Sequence, residues 1–331
     1  MVPTHILNNI FSVTPELFPQ MAWQVAQFQQ QHNAVYQEWC GLLGVSCFAT
    51  SAPIVPIEQI PFLPIRLFKS HQVVTTFFEP EVVFESSGTT NSINSKHYVK
   101  SMSLYQESYL QAFRHFYGSE TEWCIIGLLP SYLERSGSSL VTMVNDLIVR
   151  SGHIDSGFYL YDFDKLANTL KRLHSEQQPI MLIGVTFALL DFAAQYPMDL
   201  HNMVVIETGG MKGRRKEMVR EEVQAILKKQ WQLPTIHAEY GMTELLSQAY
   251  SKGDGIFVCP PWMRVLVRSE DNPLEVKKSG RGILNVIDLC NVYGASFIAT
   301  DDVGEVFEDG SFTILGRMDN SDIRGCSLLV V

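Results

Sequence analysis

Ile180-Met181-Leu182-Ile183-Gly184-Val185 and Met203-Val204-Val205-Ile206-Glu207 are two runs in which almost every position is apolar. A strand with one face in water alternates apolar and polar residues, whereas one covered on both faces does not need to. Both runs therefore read as buried strands. Residues 123–129 (WCIIGLL), which end at Pro130, read as a third. Helical patterns surround them over residues 101–117, 139–150 and 163–176, with a strongly charged helix over 216–230. Buried strands separated by helices predict an α/β protein with a mainly parallel sheet covered on both faces. The last hundred residues read mostly as β (VLVRS, ILNVIDL, SFIATD, GEVFE, SFTIL), with Gly and Asp at the turns, and predict a smaller β-rich subdomain.

Working outward, residues 21–41 carry Met21, Val25, Phe28, Val35 and Trp39 at loosely helical spacing. Pro53, Pro56, Pro61 and Pro64 then forbid a long helix and predict an extended connector. The expected divisions are an N-terminal segment packed on the core (1–80), a nucleotide-binding α/β core (81–255), the β-rich subdomain (256–319) and a C-terminal arm (320–331). At roughly 150 residues per domain, a chain of 331 residues holds about two such units.

Composition removes several classes of function. With 46% hydrophobic and 18% charged residues the chain is globular. Its net charge of −10 argues against a nucleic-acid partner, which requires a basic footprint. The best apolar stretch, residues 180–190, is broken by Gly184 and Thr186 and is shorter than the about 20 residues of a membrane span. The first basic side chain is Arg66, so no secretory leader is read and a cytoplasmic location is expected. The six cysteines (40, 47, 124, 259, 290, 326) form no CxxC pair and read as reduced thiols, mostly buried. The nine histidines show no ligand spacing.

Four constellations carry chemistry. Ser86-Ser87-Gly88-Thr89-Thr90 follows the apolar Val82-Val83-Phe84 and offers hydroxyls and backbone N–H groups to a phosphate, although alone it is equally a polar turn. Glu207-Thr208-Gly209-Gly210 ends a strand, where ligands of open α/β sheets sit, and alone is an ordinary Gly-Gly turn. Ala238-Glu239-Tyr240-Gly241-Met242-Thr243-Glu244 places an aromatic ring, a hydroxyl and a carboxylate together. These suit a base, a phosphate and Mg²⁺, or form a helix start capped by Thr243 and continued by TELLSQAY. Thr300-Asp301-Asp302, with Gly316-Arg317 after it, offers two carboxylates at the end of a strand, to ribose hydroxyls or to a β-turn.

In this order the four resemble the adenylate-forming superfamily of acyl-CoA synthetases, luciferases and peptide-synthetase adenylation domains. The wording LLPSYLERSGSSLV (128–141), LIGVTFALLDF (182–192), ETGGMKGRRKEM (207–218), YGMTELLSQAY (240–250) and LGRMDNSDIRGCSLL (315–329) resembles one branch more closely. That branch is the acyl-protein synthetases of the bacterial luminescence fatty-acid reductase system. The resemblance covers the chain from about residue 80 on, and it implies the large N-terminal domain of that fold with ATP and Mg²⁺ as cofactors. It implies that Ser86, Ser87, Gly88, Thr89 and Thr90 hold the phosphates and that Gly209 and Gly210 lie along the adenine. Tyr240 and Gly241 would face the adenine, Thr243 would contact the α-phosphate, Glu244 would coordinate Mg²⁺, and Asp302 with Arg317 would bind the ribose.

The sequence departs from the superfamily pattern in several places. Asn91 stands where Gly usually follows, Lys96 comes two places late, Asp301 replaces the Gly of TGD, and Tyr132-Leu133-Glu134-Arg135 replaces the usual His segment. The chain ends at Val331, so the lid domain that supplies the adenylation lysine is expected to be absent, with Lys96 and Lys212 as candidate substitutes.

The expected reaction is activation of a fatty or other carboxylic acid as its adenylate, followed by acyl transfer to Cys326 beside Arg324 and Gly325. From Asp319 to Cys326 the chain spans about 24 Å when extended, enough for an arm that presents a thioester to an acyl-reductase partner. Two alternatives stand beside it: a ligase that passes the acyl group to coenzyme A or another small acceptor, and a non-catalytic nucleotide-binding scaffold. The basic run Lys212, Arg214, Arg215, Lys216 and Arg220 reads either as a pyrophosphate or partner contact or as a solvated helix start. His237 and the apolar Phe187, Leu189, Leu190 and Phe192 read either as an acyl pocket or as core.

Overall fold

The computed structural model describes residues 2–45, 54–86, 93–130, 137–209 and 218–318. Among them thirteen strands form one continuous sheet. Its parallel half runs, in spatial order, Gly157–Phe158, Cys124–Leu128, Ile180–Val185, Val204–Thr208 and His237–Tyr240. The expected buried strands are there, and every residue of Cys124–Leu128 and Ile180–Val185 is buried. The helices Ser139–Ser151, Phe163–Ser175, Thr186–Gln195 and Arg220–Trp231 lie between these strands in sequence, as in a right-handed crossover sheet. Gly184 permits one close approach: a Cβ there would fall 2.6 Å from Leu189 of the helix that follows directly.

The sheet continues through Ala249–Ser251 and Phe257–Val258 into antiparallel strands, which run Phe312–Arg317, Phe297–Val306, Gly280–Asp288, Met263–Arg268 and Val276–Lys277 in spatial order. The β content expected late in the chain is thus present, joined by hydrogen bonds to the parallel half. Leu63–Pro64 adds to it in parallel with Ile298 and Ala299. A separate hairpin, Val82–Glu85 with Lys96–Val99, brackets the segment that holds Ser87 to Asn91. No helix among the described residues is long and apolar enough to cross a membrane.

Three local expectations change. The helical pattern over 21–41 is two helices, Phe18–His32 and Ala34–Leu42. The break is at Asn33, whose side chain accepts from Tyr36 N at 3.1 Å and donates to the Gly294 carbonyl at 3.0 Å while fully buried. TELLSQAY is a turn followed by the strand Ala249–Ser251 rather than a helix, because Leu246 N and Ser247 N donate to Asp288 and are lost to a helical ladder. Asp301 and Asp302 lie inside the strand Phe297–Val306 and not at its end, with Asp302 opposite Arg317.

Asn33→Ala removes a helix cap and one donor to the buried Gly294 carbonyl, which keeps the Thr75 hydroxyl at 2.7 Å. A loss of about 2–3 kcal/mol is expected, read as a lowered urea midpoint at unchanged m value.

Candidate active site

Three segments far apart in sequence meet beyond the carboxyl end of His237–Tyr240. The Tyr240 hydroxyl donates to Asp302 Oδ2 at 2.8 Å, and Asp302 Oδ1 faces Arg317 Nε at 3.3 Å. Burial raises the Asp302 pKa above its ordinary value although Arg317 pulls it down. Asp301 points to the other side and pairs with Arg66 Nε at 3.2 Å. The Tyr240 ring is largely covered, edge-on to Phe257 and Phe312, which stack on each other at 5.4 Å between centroids. Burial and the neighbouring Asp302 drive its hydroxyl pKa far up, so it stays a donor.

Glu244 is buried 5% exposed, takes a side-chain hydrogen bond from Ser95, and lies within electrostatic reach of Asp302 and Arg317. Burial raises its pKa. Carboxylate oxygens held this way are a donor set that a hard, oxygen-seeking cation ionises and accepts, so the residues present fit Mg²⁺. The backbone around Glu244 is clamped. Asn291 Nδ2 donates to the Glu244 carbonyl at 2.7 Å, and the buried His97 joins the Thr243 carbonyl and Asn291 Oδ1, each at 2.9 Å. Burial holds the His97 pKa below its ordinary value against the pull of both acceptors.

Ser86 closes the hairpin: its Oγ accepts from Ser95 N at 2.8 Å, and its own N donates to the Ser95 carbonyl at 3.0 Å. Ser87, Gly88, Thr89, Thr90, Asn91, Gly210, Lys212 and Cys326 lie outside the described residues. Gly209 is exposed at the end of Val204–Thr208 with φ +71°, a conformation that favours glycine. Lys96 Nζ pairs with Glu85 at 3.5 Å on the solvent side of the hairpin.

Two carboxylates on adjacent strand ends, the buried Glu207 and the half-buried Glu239, have no role of their own in the motif reading. Glu207 accepts from the Thr186 hydroxyl, and Glu239 accepts from the Thr208 hydroxyl. Desolvation raises Glu207, and desolvation together with the Glu207 charge raises Glu239 to about 7. Gly241 passes beside them, where a Cβ would meet Glu239 Oε1 at 2.4 Å. Close by, Gln248 is buried and its Oε1 lacks a hydrogen-bond partner. Polar residues at the end of an apolar strand were the only trace of this pair in the sequence. Asp288 was also missed. It is fully buried and accepts from Leu246 N (2.8 Å), Ser247 N (3.0 Å), Ser247 Oγ (2.6 Å) and Cys290 N (3.1 Å).

His237 packs on Tyr117, stacked at 5.7 Å, with burial lowering its pKa to about 4. Phe187, Leu189, Leu190 and Phe192 are core. Arg220 stacks on the Phe257 ring at 5.0 Å.

A family model described as acyl-protein synthetase, LuxE, matches residues 17–331. No curated protein sequence matches significantly. Among solved structures, ATP-bound MatB from Rhodopseudomonas palustris is similar with a TM-score of 0.54 and 16% identity, over 73% of this chain and 49% of that one. The luciferase-like enzyme of the nonluminescent mealworm Zophobas morio is similar with a TM-score of 0.50 and 15% identity, over 74% of this chain and 60% of that one. The likeness is one of fold, and it agrees with the α/β architecture expected from the resemblance. This chain spans about half the length of MatB.

Glu239 yields a pH prediction. Its folded pKa near 7 lies above the ordinary value of 4.5, so between the two the folded state holds the extra proton. Its contribution is full below pH 4.5 and is lost as pH rises through 7. Glu239→Gln is expected to remove a fall in stability of about 2–3 kcal/mol across that window, read from urea midpoints at pH 5 and pH 8.

Proposed function

From the premise that the chain belongs to the LuxE acyl-protein synthetase family, we propose that it uses ATP to activate a carboxylic acid and then carries the acyl group on Cys326. One observation supports this above others. Two motif segments distant in sequence meet at a strand end: Tyr240 bonds Asp302, Asp302 pairs with the exposed Arg317, and the buried Glu244 lies within electrostatic reach of both charges.

In this reading Asp302 accepts from the ribose hydroxyls. Tyr240 keeps that carboxylate oriented and offers the uncovered part of its ring to the adenine, with Gly241, Gly209 and Gly210 alongside. Ser86, Ser87, Gly88, Thr89 and Thr90 hold the phosphates, and Thr243 contacts the α-phosphate. Glu244 would hold Mg²⁺, which supplies charge neutralisation on the phosphates when bound. A substrate carboxylate oxygen attacks the α-phosphorus, the Pα–O bond to the leaving group breaks, and pyrophosphate departs. The protein's contribution is alignment and preorganised polarity.

Acyl transfer then requires a thiolate. Cys40 and Cys124 are buried with pKa values pushed up to about 11, Cys259 is pushed up to about 12, and burial drives Cys290 well above its ordinary value. Such thiols are poor nucleophiles. Among the six cysteines this leaves Cys47 and Cys326, both outside the described residues, and the nucleophile of this reading is Cys326, which follows Arg324 by two positions in the sequence. Its sulfur attacks the acyl carbon, a C–S bond forms, the C–O bond to AMP breaks, and the thiol proton passes to solvent. A fatty acid as substrate and a thioester reductase as partner complete the reading.

The test is intact-protein mass after incubation with Mg-ATP and a fatty-acid mixture, before and after neutral hydroxylamine. A hydroxylamine-labile adduct is expected, absent in Cys326→Ala and kept in Cys47→Ala, while Cys326→Ala retains fatty-acid-dependent ATP–pyrophosphate exchange. Exchange without any adduct would favour a small acceptor such as coenzyme A. No exchange with any carboxylate would favour a scaffold. Tyr240→Phe, which frees Asp302 from its hydroxyl donor, is expected to raise the KM for ATP about 5–10-fold in the exchange assay.

A further inference from the structure

On the far side of the parallel half, His174 ends the helix Phe163–Ser175, and Asp199 and His201 stand on the loop before Val204–Thr208. One donor atom from each lies within 4.8 Å of the other two. The histidines showed no ligand spacing in the sequence because the fold, not their separation along the chain, brings them together. We propose that His174, Asp199 and His201 form a binding site for a divalent transition-metal cation of the zinc class.

The donor set suits that choice. Imidazole nitrogen with one carboxylate oxygen is the ligand chemistry of zinc and its first-row neighbours, not of Mg²⁺ or Ca²⁺. The two rings stand perpendicular at 5.1 Å between centroids, close enough for one ring nitrogen of each to reach a shared ion. Asp199 Oδ1 is already 2.8 Å from His201 Nδ1. Asn202 Oδ1 accepts from His174 Nδ1 at 2.6 Å. Such a contact fixes the ring's orientation and tautomer and leaves its other nitrogen a lone pair.

The loop is prearranged. Met198 N and Leu200 N donate to the Gln230 and Trp231 carbonyls, Met203 N donates to the Leu200 carbonyl, and His201 N donates to Asp199 Oδ1. Ligand atoms around a tetrahedral ion with bonds of about 2.0 Å are about 3.3 Å apart. Rotation of these partly exposed side chains closes the remaining gap. The bound ion would fasten the end of the helix to the loop leading into Val204–Thr208, the strand that carries Glu207 and Gly209. An open coordination position would remain for water.

The test is titration of the metal-stripped full chain with Zn²⁺ against a chromophoric chelator, with Co²⁺ absorption spectra in parallel. The His174→Ala/His201→Ala double variant removes surface side chains, and its fold is checked by circular dichroism. Expected are one more equivalent of Zn²⁺ bound by the unmodified chain than by the double variant, a Co²⁺ ligand-field band lost in that variant, and about 10-fold weaker binding in Asn202→Ala. Equal stoichiometry and equal spectra in both proteins would overturn the site and leave an ordinary surface Asp–His pair. None of these readouts involves acyl transfer, so this inference and the proposed function fail independently.

Discussion

Asp288 is the constraint on which the site depends. An unpaired carboxylate with no exposure would be too costly to keep, but three backbone and one hydroxyl donor surround this one. Burial still raises its pKa, against all four of those bonds. Because Asp288 ends a strand of the antiparallel half and three of its four donors, on Leu246 and Ser247, follow the parallel half, the interaction fixes how the two halves of the sheet meet. It also denies a helix to residues 243–248. Without that denial Glu244 would be carried on a helical face, and its carbonyl would not meet Asn291.

The same logic of distant polar anchors extends outward. Gln29 Nε2 lies against the carbonyls of Asn291 and Val292, each at 3.1 Å, and Gln29 Oε1 accepts from Ser296 N at 2.9 Å. The N-terminal helices therefore brace the loop at 291–296 that in turn braces Glu244 through Asn291. Among the described residues Arg268 is buried without a directly bonded carboxylate and donates instead to the carbonyls of Leu284 and Thr300 and to Asn285 Oδ1. Desolvation lowers its pKa to about 10, still charged at neutral pH. Its reach across three strands holds Thr300, and through it the register of Asp302.

Much of this architecture was legible in the sequence. The parallel strands announced themselves because two-sided burial leaves no polar position in Cys124–Leu128 or Ile180–Val185. The helix Phe163–Ser175 was legible from the period of its apolar face. What failed was local shape set by a remote partner. Periodicity cannot sense that Asn33 will donate to residue 294, nor that Asp288 will take the amides of TELLSQAY. The carboxylates at 301 and 302 read as the end of a strand, open to ribose hydroxyls or to a β-turn, because adjacent Asp residues favour turns. In the sheet one meets Arg66 and the other meets Tyr240 and Arg317, so both are matched inside a strand. The motifs therefore named Tyr240, Glu244, Asp302 and Arg317, while His97, Asn291, Asp288 and the pairing of Glu207 with Glu239 emerged only from the fold.

That division follows from what each kind of residue does. A group that meets a ligand is constrained by the ligand's chemistry, which is local and leaves a compact motif. A group that holds another in place is constrained only by geometry, and the fold can supply it from any strand. Tyr240 sits where these cases meet. Its ring is wedged against Phe257 and Phe312, its hydroxyl is committed to Asp302, and its backbone ends the last parallel strand. Phe257 and Phe312 belong to the strands that carry the sheet from parallel to antiparallel pairing, so the same aromatic contacts that close the core at this junction also fix the direction of the hydroxyl. The orientation of Asp302 is therefore a consequence of core packing, and disturbing that packing would misplace the carboxylate even with every motif residue intact.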